Sequence, residues 1–192
     1  MSTDKKKNYI VDAWLVILLA LLYGVGLAAV QTTLGPKIVE NQKNETFAQI
    51  PELVPGSVKG ETVSVKLGNE DGVVYRALDA DGKTVGWVIP GATQGFGDQI
   101  LYLIGTDADV SKITGLFILS QKETPGLGDF ITRDYFRDQF KGLSTDQPIG
   151  VSKTAASGND IKALTGATIS STSVASGINT TLARAKPAIK AL

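Results

Sequence analysis

Residues 13–36 contain no charged side chain, and the centre of the stretch, 14–30, is almost wholly apolar. In hydrocarbon every backbone N–H and C=O must find a partner inside the segment, so a lone apolar run of this kind folds as a helix. About 20 residues suffice to cross the hydrocarbon layer. The sequence therefore predicts one transmembrane helix over 13–33. Lys5, Lys6 and Lys7 precede it, and Lys37 is the first basic residue after it. The denser positive cluster on the N-terminal side predicts a cytoplasmic N-terminus over 1–12 and an extracytoplasmic C-terminal domain over 57–192. Trp14 is placed to anchor at the inner interface, and Asp12 lies near that boundary. A cleaved secretory signal is the competing reading, but Gly26-Leu27-Ala28 is only roughly A-x-A-like, which favours a retained helix. Gly24 and Ala28 form a small-xxx-small pair, the spacing that seats a partner helix and also an ordinary composition for membrane helices.

The remainder of the 192 residues leaves room for one modest domain. Nineteen basic and 19 acidic residues cancel, which argues against a nucleic-acid binder, since that function needs a basic surplus. The chain has no cysteine and no histidine. It therefore has no thiolates for an iron–sulfur cluster, no imidazole for a haem and no ordinary His/Cys metal site. Redox chemistry in this chain requires an organic cofactor. The missing cysteines do not distinguish compartments.

Patterning predicts an α+β domain: an antiparallel sheet with flanking helices, preceded by the membrane helix. A juxtamembrane helix and linker occupy 34–56, the helix over 37–54 ending at Pro51 and Pro55-Gly56. A strand over 61–67 places Val63, Val65 and Leu67 on one face, followed by a turn at Asn69-Glu70-Asp71-Gly72. Strands over 73–78 and 84–89 flank Asp79-Ala80-Asp81-Gly82 as a hairpin. Two further strands over 99–104 and 113–119 join through 106–109, for a sheet of about four or five strands. Asp129 is positioned to cap a helix carrying Ile131, Tyr135, Phe136 and Phe140. A last helix over 169–185 carries the apolar stripe Val174, Ile178, Leu182 and Ala185.

Thr165-Gly166-Ala167-Thr168 stands at the start of that last helix. The first turn of a helix offers unpaired N–H groups and the positive end of the dipole, which favour an anion. Gly166 allows close approach of a phosphate, and Ser170, Ser171 and Thr172 add hydroxyls. The alternative is an ordinary helix start with Thr165 or Thr168 as N-cap.

The run Thr165-Gly166-Ala167-Thr168-Ile169-Ser170-Ser171 resembles the signature of FMN-binding domains whose flavin is joined through a phosphoester to threonine. By that resemblance Thr168 is the attachment residue, modified by a separate flavin transferase that uses FAD. Glu123-Thr124-Pro125-Gly126-Leu127-Gly128 resembles the pocket loop of the same domain, and Gly95-Phe96-Gly97 its glycine-aromatic-glycine turn. On their own, Pro125-Gly126 reads as a type II turn and Gly95-Phe96-Gly97 as a plain strand connection. Glu123 is a candidate for a hydrogen bond to the flavin ring or to a backbone amide, with a simply solvated carboxylate as the third reading. In this order, after one membrane helix, the motifs resemble those of the G subunits of Rnf complexes, the ion-translocating ferredoxin:NAD⁺ oxidoreductases. The related C subunits of sodium-translocating NADH:quinone reductases are generally longer. The resemblance implies a redox subunit with covalent FMN in an inner-membrane translocase, alongside other membrane, iron–sulfur and flavin subunits. Alternatives from other classes are a cofactor-free assembly module and a flavin-bearing sensor. The chain departs from the family pattern at Lys162, where an aspartate is usual, with Asp160 the nearest acid. No Gly-x-Gly-x-x-Gly stands between a strand and a helix, so NADH and ferredoxin are expected to dock on other subunits.

Overall fold

The computed structural model describes residues 13–68, 70–154 and 158–192. The predicted cytoplasmic segment 1–12, with its lysines and Asp12, lies outside the described residues, as does Asn69 of the first predicted turn. The chain divides into two compact units, Met1–Asn44 and Glu45–Leu192.

Helix α1 spans Trp14–Leu53. Within the first unit it is long and apolar enough to cross a membrane. Large side chains such as Trp14, Leu18, Tyr23 and Leu27 are exposed there. The hydroxyls of Thr32 and Thr33 donate back to the carbonyls of Ala28 and Ala29 at 2.8–3.1 Å. That back-bonding suits hydrocarbon, where an unpaired hydroxyl is costly.

The last turns of α1 belong to the second unit. They run through Pro51 and stop at Leu53, within a residue of the predicted end ahead of Pro55-Gly56. Side chains satisfy carbonyls at that terminus. The Ser57 hydroxyl donates to Val54 O at 2.7 Å and the Thr114 hydroxyl to Leu53 O at 2.5 Å.

Strands β1 (Lys59–Leu67), β2 (Glu70–Leu78), β3 (Thr84–Gln94), β4 (Gln99–Asp107) and β5 (Ile113–Ser120) form a five-stranded sheet in sequence order. All neighbours are antiparallel. Leu67 pairs with Glu70, so the first turn is tighter than predicted, and Glu70, Asp71 and Gly72 already lie in β2. Strand β4 is apolar on both sides because both sheet faces are covered. Ile100, Tyr102 and Ile104 face the larger core, and Leu103 joins Ile50, Leu53, Val54, Ala77 and Val88 on the other face. Gly105 and Gly86 make that second contact close: a Cβ on Gly105 would collide with Leu53 O, and one on Gly86 would stand 2.6 Å from Val54 Cγ1.

The long C-terminal helix, Thr168–Lys190, covers the larger core. Its predicted stripe of Val174, Ile178, Leu182 and Ala185 is buried throughout. Burial of its Val, Ile and Leu side chains stabilises by about 1.5–3 kcal/mol each. The Tyr102 hydroxyl shares a 3.0 Å hydrogen bond with Thr181 on this helix, which fixes its register on the sheet.

The single helix predicted after Asp129 is instead three short pieces. A 3₁₀ turn (Gly128–Thr132), helix α2 (Asp134–Arg137) and a second 3₁₀ turn (Asp138–Phe140) follow one another. Arg133 breaks the path with extended backbone, φ −80° and ψ 147°. The break lets Ile131, Phe136 and Phe140 all point into the core while Tyr135 stays 59% exposed. A continuous helix would have put residues 131 and 135 on one face. Asp129 makes no side-chain cap. A small parallel pair, β6 (Gly150–Ser152) and β7 (Asp160–Lys162), then leads into the C-terminal helix, named α3.

Candidate functional site

The three sequence motifs, far apart along the chain, meet at the N-terminus of α3. Thr124-Pro125-Gly126-Leu127 forms a type II turn: Leu127 N–H donates to Thr124 O at 3.1 Å, with Gly126 at φ +75°. Leu164-Thr165-Gly166-Ala167 forms a second turn with the same bond, Ala167 N–H to Leu164 O at 3.1 Å, and Gly166 at φ +81°. The two turns face each other. A Cβ on Gly166 would stand 2.8 Å from Leu127 Cδ2, so only glycine suits both the conformation and the contact.

Glu123 holds the site together. Its carboxylate accepts from Gly97 N–H at 2.9 Å, from Phe96 N–H at 3.3 Å and from the Ser170 hydroxyl. One side chain, 5% exposed, thus ties the β3–β4 turn and its own loop to the first turn of α3. Burial pushes this carboxyl up, but the Ser170 hydroxyl and the amides of Gly97, Phe96 and Asp98 outweigh it and hold it below the usual carboxylate range. Gly95 and Gly128 make room for it: a Cβ on Gly95 would meet Glu123 Oε1, and one on Gly128 would stand 2.7 Å from Ser170 Oγ. Of the roles weighed for Glu123, the bond to backbone amides is present, and the side chain is buried where a solvated carboxylate would be exposed.

The hydroxyls of Ser170 and Ser171, expected to face an anion, are buried and engaged inside the protein. Ser171 donates to Ala167 O at 2.9 Å and accepts from Leu164 N–H at 3.0 Å, closing the second turn from within. Thr168 differs. It is exposed at the first position of α3, whose N-cap, Ala167, supplies no side-chain hydrogen bond. Neither Thr165 nor Thr168 is therefore the N-cap, and the first-turn N–H groups keep their capacity for an external acceptor.

Thr168 stands between two clefts. One, of about 350 Å³, is walled by Phe96, Leu127, Gly128, Gly166, Ala167 and Ile169, with Thr124 and Ser170. Phe96 and Ile169 are large apolar side chains left 65% and 58% exposed at its edge. The other, of about 430 Å³, runs along α3 past Thr172, Ser173 and Ser176, with Thr93 and Gln94 opposite. Of these second-cleft residues only Thr172 was expected from sequence. The i,i+4 spacing of Thr168, Thr172 and Ser176 was the signal available for the rest. Thr165 lines a different cleft, with Tyr135 and Lys162, on the other side of the turn. Lys162 is exposed at the end of β7, and Asp160 sits two residues earlier on the same strand face.

An accessible hydroxyl, open helix N–H groups and an apolar cleft within reach fit a ligand with a phosphate at one end and a flat apolar ring at the other. Residues 95–183 match the FMN-binding domain family. The chain is 30% identical over 185 residues to the G subunit of the ion-translocating oxidoreductase complex of Methanosarcina acetivorans, covering 93% of this chain and 94% of that protein. It is 31% identical over 179 residues to the G subunit of the proton-translocating ferredoxin:NAD(+) oxidoreductase complex of Clostridium ljungdahlii, covering 93% and 92%. Among solved structures, the C subunit of the Na(+)-translocating NADH-quinone reductase from Parabacteroides distasonis shares the fold with a TM-score of 0.58 at 23% identity, covering 71% of this chain and 78% of that one. NqrC of Shewanella oneidensis does so with a TM-score of 0.56 at 20% identity, covering 71% and 73%.

Proposed function

The chain belongs to the family of G subunits of ion-translocating oxidoreductase complexes, and from that premise we propose that it is a membrane-anchored electron-transfer subunit bearing FMN esterified to Thr168. The observation that carries this reading is the position of Thr168, exposed at the open N-terminus of α3 between an apolar cleft and a hydroxyl-lined one. A flavin supplies the capacity to exchange electrons singly or in pairs. The protein's part is to hold and surround it. The first-turn N–H groups and dipole of α3 would hold the phosphate, and Phe96, Leu127 and Ile169 would give the ring an apolar wall against water. Glu123, which does not itself line the cleft, keeps these walls at fixed spacing.

In attachment, a separate flavin transferase joins Thr168 Oγ to the FMN phosphorus, the anhydride bond of FAD breaks, AMP leaves and the hydroxyl proton is lost. A covalent tether keeps the site occupied at any free flavin concentration, which matters outside the cytoplasm. The positive residues 5–7 ahead of the span orient the N-terminus inward, with the domain over 57–192 on the extracytoplasmic side. Ferredoxin, NAD⁺ and the translocated ion are handled by partner subunits, since the membrane stretch 13–36 carries no Asp, Glu, Lys, Arg or His for an ion path.

The test is the intact mass and visible spectrum of the full chain co-expressed with a flavin transferase. The expected result is a gain of one FMN less one water, with the colour staying on the acid-denatured protein. The gain disappears in Thr168→Ala and persists in Thr165→Ala. Covalent flavin in Thr168→Ala refutes the assignment.

A further inference from the structure

We propose that Gln139 is a positioning residue for flavin attachment, acting through the backbone of Lys162 and not on the ligand. The inference rests on the attachment reading above. Strand β7 pairs on one side with β6. At Lys162 a carboxamide takes the place of a further strand. Lys162 N–H donates to Gln139 Oε1 at 2.7 Å, and Gln139 Nε2 donates to Lys162 O at 3.3 Å. A carboxamide offers a donor and an acceptor side by side, as a peptide group does, so it can serve as one residue of a ladder.

This contact belongs to a series. The N–H groups of Lys162, Ala163 and Leu164 are held in turn by Gln139, by Ser152 O at 2.8 Å and by Ser171 Oγ at 3.0 Å. Each anchor comes from a different part of the chain, and the next residues form the turn that presents Thr168. Ser171 is buried and the Ser152 anchor is main chain, so both are built into the fold. Gln139 sits at the rim of the cleft lined by Tyr135 and Thr165, next in sequence to the fully buried Phe140. Removing its carboxamide frees the entry to the attachment turn while the other two anchors and the core stay in place. Modification requires Thr168 to meet a donor held by another enzyme. An ångström-scale misplacement of a reacting group costs up to about a hundredfold, so loosening this entry is expected to cost about tenfold.

The experiment uses the full chain in detergent with a purified flavin transferase and FAD, reading covalent flavin fluorescence against time and chain concentration. Hydrogen exchange at the Lys162 amide is measured in parallel. Gln139→Leu removes both bonds. Gln139→Glu keeps the acceptor for Lys162 N–H and loses the donor. Asn179→Leu is the matched control: its carboxamide grips Ile149 in the same two-bond manner, at 2.9 and 3.0 Å, away from the attachment turn. The expected result is kcat about tenfold lower in Gln139→Leu, an intermediate value in Gln139→Glu, a near wild-type value in Asn179→Leu, and faster exchange at Lys162 in Gln139→Leu. Wild-type kcat in Gln139→Leu overturns the inference. So does equal slowing in Asn179→Leu, or slowing without faster exchange at Lys162. A wild-type chain that stays unmodified overturns the attachment reading itself and the inference with it, and the wild-type reaction tells the two failures apart.

Discussion

Replacing Glu123 with glutamine keeps the shape of the side chain and removes its charge and half its acceptors. The carboxylate receives Gly97 N–H on Oε1 and both Phe96 N–H and the Ser170 hydroxyl on Oε2. A glutamine places an NH₂ against one of these sets of donors, so at least one main-chain N–H of Phe96 or Gly97 loses its acceptor. Hydrogen bonds to charged groups contribute about 1.5–3 kcal/mol each, and bonds sharing one carboxylate are not additive. Glu123→Gln is therefore expected to lower stability by about 2–4 kcal/mol. For a domain of this size about 1 kcal/mol corresponds to roughly 2–4 °C, which makes the fall in Tm about 5–15 °C. The pH dependence follows from the depressed folded pKa. The contribution of Glu123 is fully present above the unfolded value of about 4.3 and is lost as pH falls through the lower folded value. Thermal melts of the full chain by circular dichroism, wild type against Glu123→Gln, should show a wide gap at neutral pH that narrows below pH of about 4. A melting point within about 2 °C of wild type at neutral pH, or a gap that does not narrow on acidification, refutes the argument that Glu123 is the brace.

Two glycine substitutions test the close approaches. In Gly128→Ala the new Cβ would stand 2.7 Å from Ser170 Oγ and 2.9 Å from Glu123 Cβ, so the brace must shift. Overpacking of this kind costs about 1–3 kcal/mol in urea melts, and covalent flavin yield should fall with it; wild-type stability and yield together would show that the contact is not tight. In Gly105→Ala the Cβ meets the Leu53 carbonyl and comes within 2.8 Å of Thr114 Oγ1, so the end of α1 must move off the sheet. A similar loss of about 1–3 kcal/mol is expected in the same melts, and an unchanged midpoint would mean that this end of α1 yields without cost.

Hydrophobic periodicity is a local property, and what depended on it was legible. The strands, the meander they form and the buried stripe of α3 follow from period-2 and period-3.6 patterns that one core satisfies. The uncharged stretch 13–36 is the same kind of signal, because hydrocarbon leaves a lone apolar segment little choice but helix. The motifs too stood out as short runs of turn residues. Type II geometry at Pro125-Gly126 needs only a proline with fixed φ and a glycine free to take positive φ.

Other features were hidden because they depend on residues far apart in sequence. The path from 128 to 140 carries helical spacing, yet the core takes Ile131, Phe136 and Phe140 together, and a break at Arg133 is what allows it. The end of α1 near residue 54 was legible, but not that Ser57 and the distant Thr114 satisfy the carbonyls there. The run of serines after Thr168 promised hydroxyls for an anion. The fold turns Ser170 to Glu123 and Ser171 to the turn behind it, leaving Thr168 exposed. The sequence by itself determined the elements and the chemistry available, because those are set by side-chain type and spacing. Tertiary structure decided which hydroxyl stays accessible and what holds the motifs together, because the partners of a buried polar group are chosen by the packing of distant segments and by the cost of leaving it unpaired.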